Sequence, residues 1–318
     1  MNFSAKLKVS ASKSATSPSC KTLYASFEKQ NKMKFIYIIY FLSITQLFSQ
    51  NIEKRIGEYR VDISTYRFSE SENKITIGKS EFYFDNSGKI LEKISYGRHH
   101  YNKLDVIGNI EQFEYQNGIL NLSRKYTSWC KTCKFDETVT KYNYNNKNEL
   151  INEIILNVEN DSIIMSLNYI KEGNSIEIHS GESTYIQKIY DNNLKLIELN
   201  QIYEDSKKLR WQYLFSYGNN WKRSNFQTYY GDGKENSKTE IEYYDKTNKI
   251  ITKEILSNFK TKIVYIYSEE GLLKEIKEYE SYNDDFNLKY VKHYKFKGKV
   301  RKLNNETIKK INDELIGK

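Results

Sequence analysis

One short pattern recurs along this chain and constrains its fold more than any other feature. Two aromatics stand at i and i+2. A turn of Asn, Asp or Gly follows, and then an aliphatic pair with Lys or Glu. The clearest copies are Phe82-Tyr83-Phe84-Asp85-Asn86-Ser87-Gly88-Lys89-Ile90-Leu91 and Phe113-Glu114-Tyr115-Gln116-Asn117-Gly118-Ile119-Leu120. Others run from Tyr142 to Ile151, from Tyr243 to Ile251 and from Tyr265 to Leu273, with weaker copies centred on Tyr169, Tyr190, Tyr217 and Phe296. The last aromatics fall 21 to 31 residues apart, which fits strand, turn, strand and return loop.

Each copy predicts a β-hairpin. Side chains alternate along a strand, so aromatics at i and i+2 share a face. Phe113 and Tyr115 face one way, Gln112 and Glu114 the other. Asn and Gly supply the positive-φ positions of the turn. One hairpin is marginal in water, so neighbours must pair and bury a continuous aromatic face. Two further segments, Glu58–Phe68 and Ile75–Phe84, predict an opening hairpin around a polar loop at Ser69–Lys74. The fold class expected is all-β: an antiparallel meander of repeated hairpins, curved or folded over itself. Phe84, Phe113, Tyr115, Tyr144, Tyr244 and Tyr267 should be buried. A short C-terminal helix is expected within 304–318, capped by Asn305, with Ile308, Ile311 and Leu315 on one side and Gly317 as the stop. It should cover a sheet edge.

The aromatic–Asp/Asn–turn–Gly–aliphatic pattern resembles the YD repeats of bacterial RHS-type surface and toxin proteins. The matching residues are Phe84-Asp85-Asn86-Ser87-Gly88-Lys89-Ile90, Tyr190-Asp191-Asn192-Asn193-Leu194 and Tyr244-Asp245-Lys246-Thr247-Asn248-Lys249-Ile250. The resemblance spans roughly Phe82 to Val300. It implies extracytoplasmic hairpin architecture and a binding or scaffold role. Nine units are too few to enclose a toxin as the far longer RHS arrays do.

Composition changes abruptly near residue 32. Every Ala and the single Pro18 lie before that point. Met33-Lys34 then opens a short apolar stretch, Phe35 to Phe48, ending at Ser49-Gln50, which has the form of a secretory signal peptide. The expected organisation is a mis-assigned extension at 1–32, a signal peptide at 33–49, a hairpin-repeat domain at 50–303 and a helical tail at 304–318. Residues 1–32 carry a net +5 and Lys34 one more, which leaves +3 of the chain's +9. Lys and Glu interleave in what remains, as in Lys274-Glu275-Ile276-Lys277-Glu278. That pattern suits a solvated sheet face with cross-strand pairs, not a phosphate-binding stripe. No nucleic-acid partner is expected, and membrane contact is expected only through the leader.

Trp129-Cys130-Lys131-Thr132-Cys133 resembles the Trp-Cys-x-x-Cys centre of thioredoxin-like oxidoreductases, but it lies between strand-like segments and no proline follows it. A Cys130–Cys133 disulfide in a loop is expected ahead of free thiols, redox activity or metal binding. A zinc site needs about four ligands, and there is no second Cys pair. The four histidines, His99, His100, His179 and His293, form no metal-binding or catalytic pattern. Gly231-Asp232-Gly233-Lys234 predicts a hairpin turn rather than a phosphate loop. No catalytic residue, cofactor or metal is expected. Trp211 and Trp221 are candidates for an aromatic binding platform that stacks on a protein or glycan surface component. The function expected is that of an exported, non-enzymatic binding or scaffold module. The alternative is an envelope glycan-directed hydrolase using a facing carboxylate pair.

Overall fold

A computed structural model of the protein describes residue 52 and residues 57–69, 73–97, 106–128, 133–230, 233–282, 285–298 and 303–317. The chain divides into two units, Met1–Ile52 and Glu53–Lys318, and every element below belongs to the second. The expected leader and upstream extension lie outside the described residues.

The strands are β1 (Tyr59–Phe68), β2 (Lys74–Phe84), β3 (Ile90–Tyr96), β4 (Ile107–Gln116), β5 (Ile119–Thr127) and β6 (Asp136–Tyr144). They continue with β7 (Leu150–Asn157), β8 (Ser162–Glu172), β9 (Ser175–His179), β10 (Thr184–Tyr190), β11 (Leu196–Tyr203) and β12 (Leu209–Tyr217). The last six are β13 (Trp221–Tyr230), β14 (Gly233–Tyr244), β15 (Ile250–Leu256), β16 (Lys260–Tyr267), β17 (Leu273–Tyr282) and β18 (Asp285–Lys297). A helix, α1 (Asn305–Ile316), follows.

Each strand pairs antiparallel with its neighbours in the chain, as the repeat requires. The meander also closes. β1 pairs with β18 from Arg60 opposite Lys297 to Arg67 opposite Tyr290, as well as with β2. The expectation of a curved or folded-over sheet is therefore corrected to a closed barrel of 18 strands. The physical reason is the pair of edges that an open meander leaves, each a row of unpaired N–H and C=O groups. Only closure removes both.

Closure sorts the connections onto two ends. Every aromatic-turn motif lies at one end, and the remaining connections lie at the other. At the turn end four copies share one construction. The turn residue accepts N–H bonds through its side chain: Asp85 from Ser87 and Lys89, Asn145 from Lys147 and Glu149, Asp191 from Asn193 and Lys195, and Asp245 from Thr247 and Lys249. The fourth turn residue takes positive φ, at Gly88, Asn148, Leu194, Asn248 and Gly271. The register shifts by one residue at the last aromatic, as at Phe84, Tyr115, Tyr144, Tyr190, Tyr244 and Tyr267. Such a bulge bends a strand and increases its twist.

Successive hairpins are then latched together. The hydroxyls of Tyr144, Tyr217 and Tyr267 donate to the carbonyls of Leu120, Leu196 and Ile250 in the strand before, at 2.7–2.8 Å. The lysine after the turn reaches over the next hairpin's tyrosine, Lys89 over Tyr115, Lys195 over Tyr217 and Lys249 over Tyr267. These contacts account for the Tyr and Lys of the pattern.

Leu194 breaks the rule for its position. It is 80% exposed and holds φ +61° where other copies place Gly or Asn. A left-handed conformation costs an L-residue roughly 1–2 kcal/mol, and the extra chain entropy of Gly recovers about half of that. Leu194→Gly is expected to stabilise the protein by about 0.5–1 kcal/mol in urea unfolding.

Helix α1 lies against the aromatic face at the turn end. Asn304, not Asn305, caps it, accepting the Thr307 N–H at 2.8 Å. Gly317 ends it at φ +79°. Ile308, Ile311 and Leu315 are buried. Ile311 and Leu315 join Tyr59, Val61, Ile63, Phe84, Ile90, Leu273 and Tyr294 in the core. Asn312 fixes the helix by accepting the Leu273 N–H and donating to the Gly271 carbonyl, both at 2.9 Å. Gly88 admits it closely, since a β-carbon there would stand 3.0 Å from the Thr307 carbonyl oxygen. Of the six rings expected to be buried, Phe84 alone is. Phe113, Tyr115, Tyr144, Tyr244 and Tyr267 are half-buried. The helix covers one sector of the aromatic face, and a barrel does not fold the rest onto itself.

Candidate binding groove at the loop end

A candidate site stands at the loop end of β11–β13. It is a groove of about 710 Å³ lined by Gln201, Tyr203, Asp205, Ser206, Lys208, Leu209, Arg210, Trp211, Thr228 and Tyr229. Trp211 starts a ladder that alternation places on one face of β12: Trp211, Tyr213, Phe215 and Tyr217. Their opposites on β13 are Thr228, Phe226, Ser224 and Lys222. The Trp211 and Tyr213 rings meet edge to face at 5.8 Å, and Tyr213 lies 4.6 Å from Phe226. Trp211 is thus braced by its neighbours, half-buried, and bordered by two cationic residues and two tyrosines.

The two tryptophans named from sequence do not form one platform. Trp211 lies opposite Thr228 at the loop end, whereas Trp221 opens β13 at the turn end. Trp211 shares a face with Thr228, and Trp221, seven positions before Thr228 on the same strand, lies on the other. Trp221 is 37% exposed and stands over Gly218, so its surroundings are those of a turn.

Further along the aromatic face, Glu240 and Glu242 line a smaller cleft of about 200 Å³ with Leu199, Tyr213, Phe215, Lys222, Ser224 and Lys253. A facing carboxylate pair is what a glycan hydrolase needs. The electrostatics of the cleft point elsewhere. Burial alone would raise the Glu240 pKa, but hydrogen bonds and charge from Lys238 and Lys253 outweigh it and hold the carboxyl below its ordinary range. Glu242 accepts the Tyr244 hydroxyl. The acid of a glycoside hydrolase needs the opposite shift; Glu240 is here the ion-pair partner of Lys238 and Lys253.

On the opposite face, beside the groove, His179 at the end of β9 stands between two carboxylates. Its Nδ1 is 2.6 Å from Glu204 in the β11–β12 loop, and its Nε2 is 3.1 Å from Glu177. The ring stacks on Tyr185 at 4.7 Å. Sequence inspection left His179 isolated, because Glu204 lies 25 residues away and only the pairing of β9, β10 and β11 unites them.

Cys130 lies outside the described residues, as do His99 and His100. The Cys130–Cys133 disulfide stays an expectation. β13 and β14 pair up to Tyr230 opposite Gly233, and Gly231 and Asp232 of the expected turn lie outside the described residues. Among the described residues no group of His, Cys, Asp or Glu is disposed to hold a metal.

No family model matches the chain, and no curated protein matches it. Among solved structures it is similar to a porin-like protein from Bacteroides uniformis, at 8% identity over 75% of this chain and 96% of that one, with a TM-score of 0.41. It is also similar to chains in a TcdB2–TccC3–Cdc42 complex, at 12% identity and a TM-score of 0.32, and in the Tc holotoxin pore of Photorhabdus luminescens, at 10% and 0.29. This chain matches 16% of each of those two longer chains. All three likenesses concern shape alone and carry no functional argument.

Proposed function

We propose that the protein is an exported, non-enzymatic β-barrel that binds a protein or glycan component of the bacterial envelope through the Trp211 groove. The observation that carries this reading is the groove itself. A braced tryptophan, two tyrosines, Lys208 and Arg210 line one concave site on irregular loops, at the end away from the helix. Binding residues concentrate on loops held by a rigid scaffold, and concave sites with a few polar groups around aromatics are the usual ligand sites.

A water-exposed barrel fits this reading better than a membrane-spanning one. A lipid-facing barrel carries a continuous apolar band on its outer face. Here both faces bear charge at mid-strand. Alternation places Lys93, Glu111, Glu153 and Lys253 on the aromatic face, and Glu92, Arg124, Glu254 and Lys277 on the other.

Immobilised protein should capture its partner from envelope extract, with the bound protein and glycan analysed separately. Trp211→Ala is expected to weaken capture about tenfold, equivalent to ~1.4 kcal/mol. Trp221→Ala, on the other face and end, should leave capture unchanged. Equal capture by wild type and Trp211→Ala would overturn the assignment of the groove.

A further inference from the structure

The β11–β12 loop has two sides. Tyr203, Asp205, Ser206 and Lys208 form a wall of the Trp211 groove. Glu204 points to the other side and meets His179. The loop's remaining described ties include Glu204 N–H to the Ser183 carbonyl at 2.8 Å, and two bonds internal to the loop, Lys207 N–H to Tyr203 and Tyr203 N–H to Lys208. The His179–Glu204 bond is a side-chain link from the groove wall to the sheet beneath it, beside the Lys207 ammonium over the Tyr185 ring.

That link depends on charge. A neutral imidazole has one N–H, whereas an imidazolium has two. Both ring nitrogens of His179 face carboxylate oxygens, so only the protonated ring donates to Glu204 and Glu177 together. We propose that His179 is a pH-operated tether for the β11–β12 loop: protonated, it holds the wall of the Trp211 groove to β9, and deprotonated, it has one N–H to divide between two carboxylates and no positive charge, so the Glu204 bond weakens and the wall loosens. The regulatory role rests on the groove being the binding site; the tether itself does not.

The groups facing the ring fit this assignment. From β9 comes Glu177, whose other oxygen accepts from Gln187 of β10. β10 also contributes Tyr185 as the stacking partner. The loop contributes Glu204 and Lys207, the latter 3.4 Å from Glu204 and 5.0 Å from the Tyr185 ring centre. From β8 the residue opposite is Asn168, which is uncharged. Two carboxylates thus face one nearby cation besides His179. Burial would lower the His179 pKa, but hydrogen bonds to Glu204 and Glu177 and their negative charge outweigh it and raise it above 6.5. Because the folded-state pKa is raised, the tether is complete below the ordinary histidine range and is lost as pH rises through the higher folded value.

The test uses the full chain with Trp129→Phe and Trp221→Phe, so that Trp211 is the sole tryptophan. Acrylamide quenching of Trp211 and the His179 imidazole NMR signals are followed from about pH 5.5 to about pH 9. Quenching should rise about twofold with the same midpoint as the His179 titration. His179→Gln should abolish that step and leave Trp211 accessible at every pH, and Glu204→Gln, which keeps the histidine, should do the same. A flat quenching profile while His179 titrates, or an unchanged step in either variant, would overturn the tether. Neither result bears on capture by Trp211→Ala, so failure of the tether and failure of the groove assignment are separable.

Discussion

Ile311→Asp is expected to destabilise the barrel by about 4–5 kcal/mol or more, because two penalties act at one buried site. Ile311 is 0% exposed and packs within the cluster containing Phe84, Leu273 and Leu315. Losing a fully buried aliphatic side chain removes about 1.5–3 kcal/mol. A carboxylate in the same place would be desolvated, with Asp313 and Glu314 close in sequence and no cation in the cluster, at a cost of several kcal/mol unless the helix detaches. Lys309→Asp, on the exposed side of the same helix, should cost about 0.5 kcal/mol or less. The comparison separates an integral cover from a docking tail. Urea unfolding reads both variants, and tolerance of Ile311→Asp would show that the helix contributes little to the fold.

Phe84→Ala should cost about 3–5 kcal/mol, the range for deleting a buried aromatic. Phe84 is the last aromatic of the first motif copy and is 0% exposed. It lies opposite Tyr59 and beside Phe82, 6.5 Å away between ring centres. Its loss would open a void where β1, β2 and the helix meet, and β1 also carries the closing seam to β18. Tyr267→Ala, at the same motif position but only half-buried, should cost less, even with loss of the bond to the Ile250 carbonyl. The measurement is the shift in unfolding midpoint at constant denaturant dependence. Equal losses at Phe84 and Tyr267 would show that the helix adds nothing to the burial of Phe84.

Local chemistry was legible in the residues. An Asp or Asn followed by a positive-φ residue three places later specifies a turn whose hydrogen bonds close within five residues. The i, i+2 aromatics specify which face the strands share. The Ile308, Ile311 and Leu315 spacing marked the buried side of the helix, although its cap fell one residue early. These signals are readable because each interaction joins residues near in sequence.

The candidate site was legible only in part. Trp211 was marked by its type, and its groove formed when β11, β12 and β13 aligned. Its supposed partner Trp221 went to the opposite face and end, since a common platform requires matching parity and the same end of the hairpin. His179 and Glu204 carried no shared signal at all.

By itself the sequence determined an antiparallel hairpin meander with one aromatic face, a recurring Asp/Asn turn and a terminal amphipathic helix, because strand alternation, turn chemistry and helical periodicity all act over a few residues. Tertiary structure alone decided that β1 meets β18, that one sector of aromatics is covered while the rest stays half-open, and that His179 lies between two glutamates. Those outcomes depend on the curvature accumulated over 18 strands, and on edges whose unpaired backbone groups find partners only when the ring is complete.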